Sequence, residues 1–224
     1  MDMTRRERLW GAIYGLFQLL ILPNLLFFLN GYLPVPLEEG PINFIFFSVN
    51  FLFILLICHR FLWQNLLYAG RNLGKTLRFA FWGFILYYCA NLLYSMIVLK
   101  FLPDFVNIND SSIMEITREH PVVMTLGAVL LVPMVEETIY RGVIFRGILN
   151  RSKFLAYTAS ALLFAAIHIA GYVTQYDALT LVVCLAQYLP AGLILAWSYE
   201  KSGTIVSPIL IHMTVNQIGM LLTR

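Results

Sequence analysis

Charge is the scarcest thing in this chain. Asp, Glu, Lys and Arg make up 12% of its 224 residues, where soluble domains carry about 25%. Apolar runs of about twenty residues, the length that crosses a bilayer core, recur from end to end, which excludes an ordinary water-soluble enzyme. Cysteine is nearly absent too. Cys58, Cys89 and Cys184 all fall inside apolar runs, where a thiol acts as a small hydrophobic side chain, so neither a disulfide framework nor a cysteine metal centre is expected. There is no low-complexity tract, no internal repeat and no water-rich linker longer than 103–119, and 1–224 therefore reads as a single transmembrane domain. Arg5, Arg6 and Arg8 precede an apolar run as they do in a signal peptide, but the run is long and ends at Asn30-Gly31 without a small-residue cleavage pattern, so an uncleaved first span is expected.

What is present is an all-α, polytopic helical bundle. The pattern predicts spans at about 10–29, 42–62, 77–101, 121–149, 154–172, 179–199 and 204–223, seven crossings in all. Alternating the loops puts Arg5, Arg6, Arg8, Arg60, Arg71, Lys75, Arg78, Arg141, Arg146, Arg151, Lys153 and Lys201 on the side of the N-terminus. Only Lys100, Arg118 and Arg224 fall opposite, among Glu38, Glu39, Asp104, Asp110, Glu115, Glu119 and Asp177. Basic residues accumulate in cytoplasmic loops, so the N-terminus is expected in the cytoplasm. The net charge of +3 then reflects topology and not a nucleic-acid partner. The partners expected are the lipid bilayer and a membrane-associated peptide or protein.

The halves of the chain differ. Residues 1–102 form three spans whose polar punctuation is limited to residues such as Asn24, Asn43, Asn50 and Asn91, and they read as peripheral helices. Residues 121–224 carry the polar constellations. Their second span holds Ala156, Ala159, Ser160, Ala161, Ala165, Ala166, Ala170 and Gly171, small residues that allow close helix approach in lipid, and should lie centrally against the span with the carboxylates.

The first constellation is Pro133-Met134-Val135-Glu136-Glu137-Thr138-Ile139-Tyr140-Arg141. An ionised group at the centre of a spanning helix costs about 2.5–3.5 kcal/mol, so its retention points to a function. Glu137 and Arg141, four apart, share a helix face and can pair, while Glu136 lies about 100° away and is free to face a cavity as a base. Pro133 removes a backbone donor beside them and should loosen the helix. A blander alternative has a salt-bridged helix end with Glu136 snorkelling to the headgroups. Glutamate is short for that, since Glu136 lies about 20 Å from the predicted end. The second constellation is Phe164 with His168 four residues on, and the third is His212 with Asn216 four residues on. Alone, each reads as well as packed core. Counted from the basic side, however, Glu136 and His168 both lie about 21 Å deep and Asn216 about 18 Å, with His212 one turn shallower, so the groups should meet in one layer.

Glu136-Glu137-x-x-x-Arg141, Phe164-x-x-x-His168 and His212-x-x-x-Asn216, in that order on successive late spans, resemble the CPBP family. That family comprises CaaX prenyl endopeptidases and the bacteriocin-processing or immunity-associated Abi proteins. The motifs cover about 80 residues of the C-terminal half, and the best-described relatives have eight spans where seven are predicted here. The resemblance implies a multi-pass intramembrane endopeptidase, expected in a bacterial plasma membrane, that cuts a peptide bond near the cytoplasmic face. Glu136 would activate water, His168 would stand beside it, His212 and Asn216 would donate to the oxyanion, and Glu137, Arg141 and Phe164 would complete the site. Such donors typically contribute about 10²–10³ in rate each. The favoured reading requires no cofactor. The alternative is Zn²⁺ held by Glu136, His168 and His212, although the His-Glu-x-x-His pattern is missing because Met213 follows His212. No Gly-x-Ser nucleophile turn occurs, and Tyr176-Asp177 is expected in a loop. A non-catalytic membrane scaffold or bacteriocin-immunity protein binding a peptide in the same cavity is the second functional reading.

Overall fold

A computed structural model describes residues 2–222, which form nine helices and, among the described residues, no strands. They are α1 (Arg5–Leu20), α2 (Leu22–Asn30), α3 (Glu39–Arg71), α4 (Leu73–Phe101), α5 (Ile108–Glu119), α6 (Pro121–Leu149), α7 (Lys153–Ala170), α8 (Ala178–Ser202) and α9 (Val206–Leu222). Five of these, α3, α4, α6, α7 and α8, are long and apolar enough to cross a membrane, and the bent pair α1–α2 makes six if it counts as one span. Helix α9 is shorter and apolar. The all-α membrane bundle thus stands, but among the described residues five or six helices, and not the seven expected, are long and apolar enough to cross, and there are three further differences from the sequence reading. The first span is broken at Ile21 and bends by 45°. The supposed linker 103–119 contains a 12-residue helix, α5. Arg141, counted among the basic residues of the N-terminal side, is wholly buried. Thr223 and Arg224, at the predicted end of the last span, lie outside the described residues.

The end of the bundle near the N-terminus is stitched by backbone groups that helix ends leave over. Thr4 and Glu7 form a reciprocal cap on α1. The second oxygen of Glu7 reaches α3, where it accepts the Phe61 N–H at 2.9 Å. Helix α3 departs from helical geometry at Cys58 (φ −112°, ψ 16°), so the donors just beyond that break need partners from outside the ladder. Asn65 accepts the Ile205 N–H at 2.9 Å, Thr204 donates to the Asn65 carbonyl at 3.0 Å, and Ser207 donates to the Thr76 carbonyl at 3.0 Å, tying the start of α9 to α3 and α4. Gly203 ends α8 at φ +79°, a conformation that glycine adopts without strain.

Helices α6, α7 and α8 pack as a compact core. The closest approach is at Gly192 of α8, where an added Cβ would lie 2.7 Å from the Ala161 Cα. Small residues of α7 make this contact possible. On its other side α7 meets α6, with the Ser160 hydroxyl donating to the Tyr140 carbonyl at 2.9 Å. The helices before residue 102 are more than a rim. Gly11 of α1 lies so close to α6 that a Cβ there would sit 2.8 Å from Val143 Cγ2, and Tyr14 donates to the buried Asn50 at 2.8 Å. Outward-facing residues such as Leu56, Phe81, Leu92 and Phe154 are exposed, as expected of a surface that meets lipid. The three cysteines are free, with Cys58 and Cys184 buried and Cys89 exposed.

Candidate active site

Helix α6 changes its winding at the carboxylates. Residues Thr125–Leu131 and Thr138–Phe145 are π-helical, and a single α-helical stretch, Val132–Glu137, stands between them. Wide turns of this kind concentrate at functional sites. Pro133 gives a local reason. The Val132 N–H reaches back five residues to the Gly127 carbonyl. The next donor in that register would be Pro133, which has none, so the Ala128 carbonyl is left over. Asn216 of α9 fills the gap, donating from Nδ2 to Ala128 at 2.8 Å. The proline and the distant amide are therefore two parts of one arrangement.

The two adjacent glutamates face different surroundings. Glu137 is wholly buried and pairs with Arg141 (Oε2 to Nε, 3.1 Å), as their spacing predicts. Arg141 also donates from Nη2 to the Gly192 carbonyl at 3.2 Å and lies over the Phe164 ring, 4.4 Å from its centroid. The other Glu137 oxygen is 3.1 Å from His212 Nδ1, a contact that requires the imidazole to donate from Nδ1. Arg141, Glu137 and His212 thus form a chain that fixes the ring with Nε2 turned to Glu136, 3.9 Å from its Oε2. That separation exceeds a hydrogen bond, and Glu136 Oε2, although buried, has no hydrogen-bond partner among the described residues.

His168 stands on α7 with Nδ1 2.8 Å from the Phe164 carbonyl, so it too donates from Nδ1 and keeps Nε2 as an acceptor. Phe164 lies beside both imidazoles, its centroid 4.9 Å from that of His168 and 5.8 Å from that of His212. Glu136, His168, His212 and Asn216 line one cavity of about 410 Å³, within the size range of binding pockets. All seven residues singled out from the sequence are therefore within one neighbourhood. Glu137, Arg141 and Phe164 support the cavity wall, and the other four face the space.

The sequence reading missed part of the lining. Phe46, Phe47 and Tyr87 come from helices taken as peripheral, and Asn109, Asp110, Met114 and Thr117 come from the supposed linker. Tyr188 of α8 stacks on His168, ring centroids 4.1 Å apart with planes 20° from parallel. Its hydroxyl donates to Asp110 at 2.6 Å and accepts from Asn109 at 3.0 Å. A signal for α5 was present in Asn107, which caps the helix by accepting from Asn109 and Asp110, followed by Ile113, Ile116 and Thr117 at helical spacing.

Zinc fits poorly. Among the described residues no group of three or more His, Cys, Asp or Glu side chains is placed to hold a metal ion, so Glu136, His168 and His212 do not converge as the zinc ligands they would have to be. Tyr176-Asp177 is a loop as expected, with Asp177 capping α8 by accepting from Leu179 and Thr180.

Comparison with known proteins agrees with the motifs. A stretch of 104 residues is 33% identical to the uncharacterized 24.3 kDa protein of Escherichia coli, covering 45% of this chain and 44% of that protein's length. No solved structure matches. Residues 118–218 match the family described as Type II CAAX prenyl endopeptidase Rce1-like, a span that includes Glu136, Glu137, Arg141, Phe164, His168, His212 and Asn216. Over that span, a little under half of the chain, the protein is similar to this family of CAAX prenyl endopeptidases, and it spans less than half the length of the curated relative it matches.

Proposed function

We propose that this protein is an intramembrane endopeptidase of a bacterial plasma membrane, with Glu136 as the base that activates water. The observation that carries the reading is the unsatisfied Glu136 carboxylate facing a cavity shared with His168, His212 and Asn216. Glu136 takes a proton from water and the oxygen attacks the peptide carbonyl. Nε2 of His168, an acceptor, holds the attacking water from its second side. The negative oxygen of the tetrahedral intermediate meets the Asn216 amide, which has a second N–H beyond the one given to Ala128, and the Nε2–H of a His212 that enters and leaves the cycle doubly protonated, so that the one proton in motion is the one Glu136 carries. Glu136 returns its proton to the leaving amine as the C–N bond breaks, the acid–base alternation expected of one carboxylate.

Glu137 has a different part. Held by Arg141 and bonded to His212 Nδ1, it sets the orientation of the ring, as the buried carboxylate of a catalytic triad does. No step requires a metal. The substrate class is a membrane-associated peptide or protein, of the leader type that secreted peptides carry.

Quantitative peptidomics of membranes carrying wild type or Glu136→Gln tests the proposal. Products present with wild type and lost with a folded, inserted Glu136→Gln protein support it. If the biological phenotype survives the substitution and no product depends on Glu136, the protein is a peptide-binding scaffold or immunity factor instead.

A further inference from the structure

The large cavity occupies only one end of the bundle, from mid-helix to the end remote from the N-terminus. The N-terminal end is defined by contacts among Met3, Phe61 and Gly142, between Gly147 and Arg8, and between Gly203 and Tyr68. The opposite end is defined by Gly40 against His120, and by Glu38 paired with His120 at 3.1 Å. From Glu136 the lining climbs α6 through Val132 and Ala128 to Met124, away from the N-terminal end, and climbs α9 from His212 through Asn216 to Gly219. His168 is close to the remote end of α7. Among the described residues, none of the lining comes from the N-terminal end.

Helix α5 covers this remote mouth. Its inner residues Ile113, Met114 and Thr117 line the cavity, while Glu115, Arg118 and Glu119 are exposed, the division of a helix lying along a membrane surface. It is held through Asp110, which accepts from Tyr188 at 2.6 Å and from Gln187 at 2.9 Å. The basic residues give the orientation. With Arg141 buried, Arg5, Arg6, Arg8, Arg60, Arg71, Lys75, Arg78, Arg146, Arg151, Lys153 and Lys201 still lie toward the N-terminal end, against Lys100 and Arg118 at the other among the described residues. Such an excess marks the cytoplasmic side.

We infer that the site is served from the non-cytoplasmic face, beneath α5, and that its substrate is a membrane-associated peptide whose scissile bond lies in the outer leaflet. This rests on the proteolytic reading for the word substrate, but the direction of access does not. It also reverses the cytoplasmic approach that the family resemblance implied.

Access can be read without any hydrolysis. In the full chain carrying Cys89→Ala, single cysteines are introduced as Met114→Cys and Gly219→Cys in the cavity and Arg151→Cys at the basic end. Gly219 has open space where a Cβ would go, so that variant does not depend on the tolerance of α5. A membrane-impermeant cationic methanethiosulfonate is added to right-side-out or inverted vesicles. Expected is labelling of both cavity cysteines in right-side-out vesicles, lost after blocking from that side, with Arg151→Cys labelled only in inverted ones. Labelling of the cavity cysteines from the Arg151 side or from neither side, or labelling of Arg151→Cys in right-side-out vesicles, overturns the inference. Adding Glu136→Gln leaves the labelling unchanged if the inference holds, so a failure of the proteolytic reading shows separately as missing peptide products.

Discussion

Arg141→Met removes the positive end of a pair that has no access to water. Arg141 and Glu137 side chains are both 0% exposed and 3.1 Å apart, and the guanidinium also gives a hydrogen bond to Gly192 and lies over Phe164. Removing one member of such a pair typically costs about 3–5 kcal/mol, because the remaining charge stays buried without compensation. A native protein is stable by about 5–15 kcal/mol, so the variant should unfold at much milder conditions. The double variant Glu137→Gln/Arg141→Met should recover a large part of the loss. Its side-chain amide at position 137 has an oxygen that still accepts from His212 Nδ1, and no ion is left stranded. Unfolding of the purified proteins by SDS titration in mixed micelles gives the free energies of the two single variants and the double variant, which close a double-mutant cycle. A cost for Arg141→Met below about 1 kcal/mol, the range of an exposed pair, would refute the claim that a buried charge pair supports His212.

Other outcomes follow from single contacts. Glu136→Gln should lower cleavage by at least about 10²-fold, the smallest contribution usual for a general base, with helix content and melting preserved. Cleavage that depends on Glu136 should persist after chelator treatment of the purified protein, and loss of activity restored by added zinc would contradict the proposed chemistry. Gly192→Ala should cost about 1–3 kcal/mol in the same unfolding assay, because the new methyl meets the Ala161 backbone and α7 and α8 must part. Tyr188→Phe keeps the ring against His168 but loses the hydrogen bonds to Asp110 and Asn109, so hydrogen exchange of α5 should speed up while that of α7 is unaffected.

Much of the site was legible because it is local. Residues four apart on a helix share a face whatever surrounds them, so the Glu137–Arg141 pair and the separate direction of Glu136 could be read directly from spacing. Loop-to-loop counting placed Glu136, His168 and Asn216 in one layer for a similar reason, since rise per residue is constant and α6 and α7 are joined by a short turn. Helix α5 escaped notice because it is short and mixed in polarity, and its identity as a cover depends on Tyr188 and Gln187, which lie far along the chain on α8.

By itself, then, the amino-acid order determined that the chain is a membrane bundle, where most of its helices run, and which polar side chains share a helical face. These follow from hydrophobicity and helical pitch, which act within a few turns. Only tertiary structure decided that His212 bridges toward both glutamates, that Asn216 takes the carbonyl orphaned by Pro133, and that the cavity opens at the end remote from the N-terminus. Those features depend on how far each helix is rotated and shifted against its neighbours, and packing sets those quantities from contacts spread over the whole bundle.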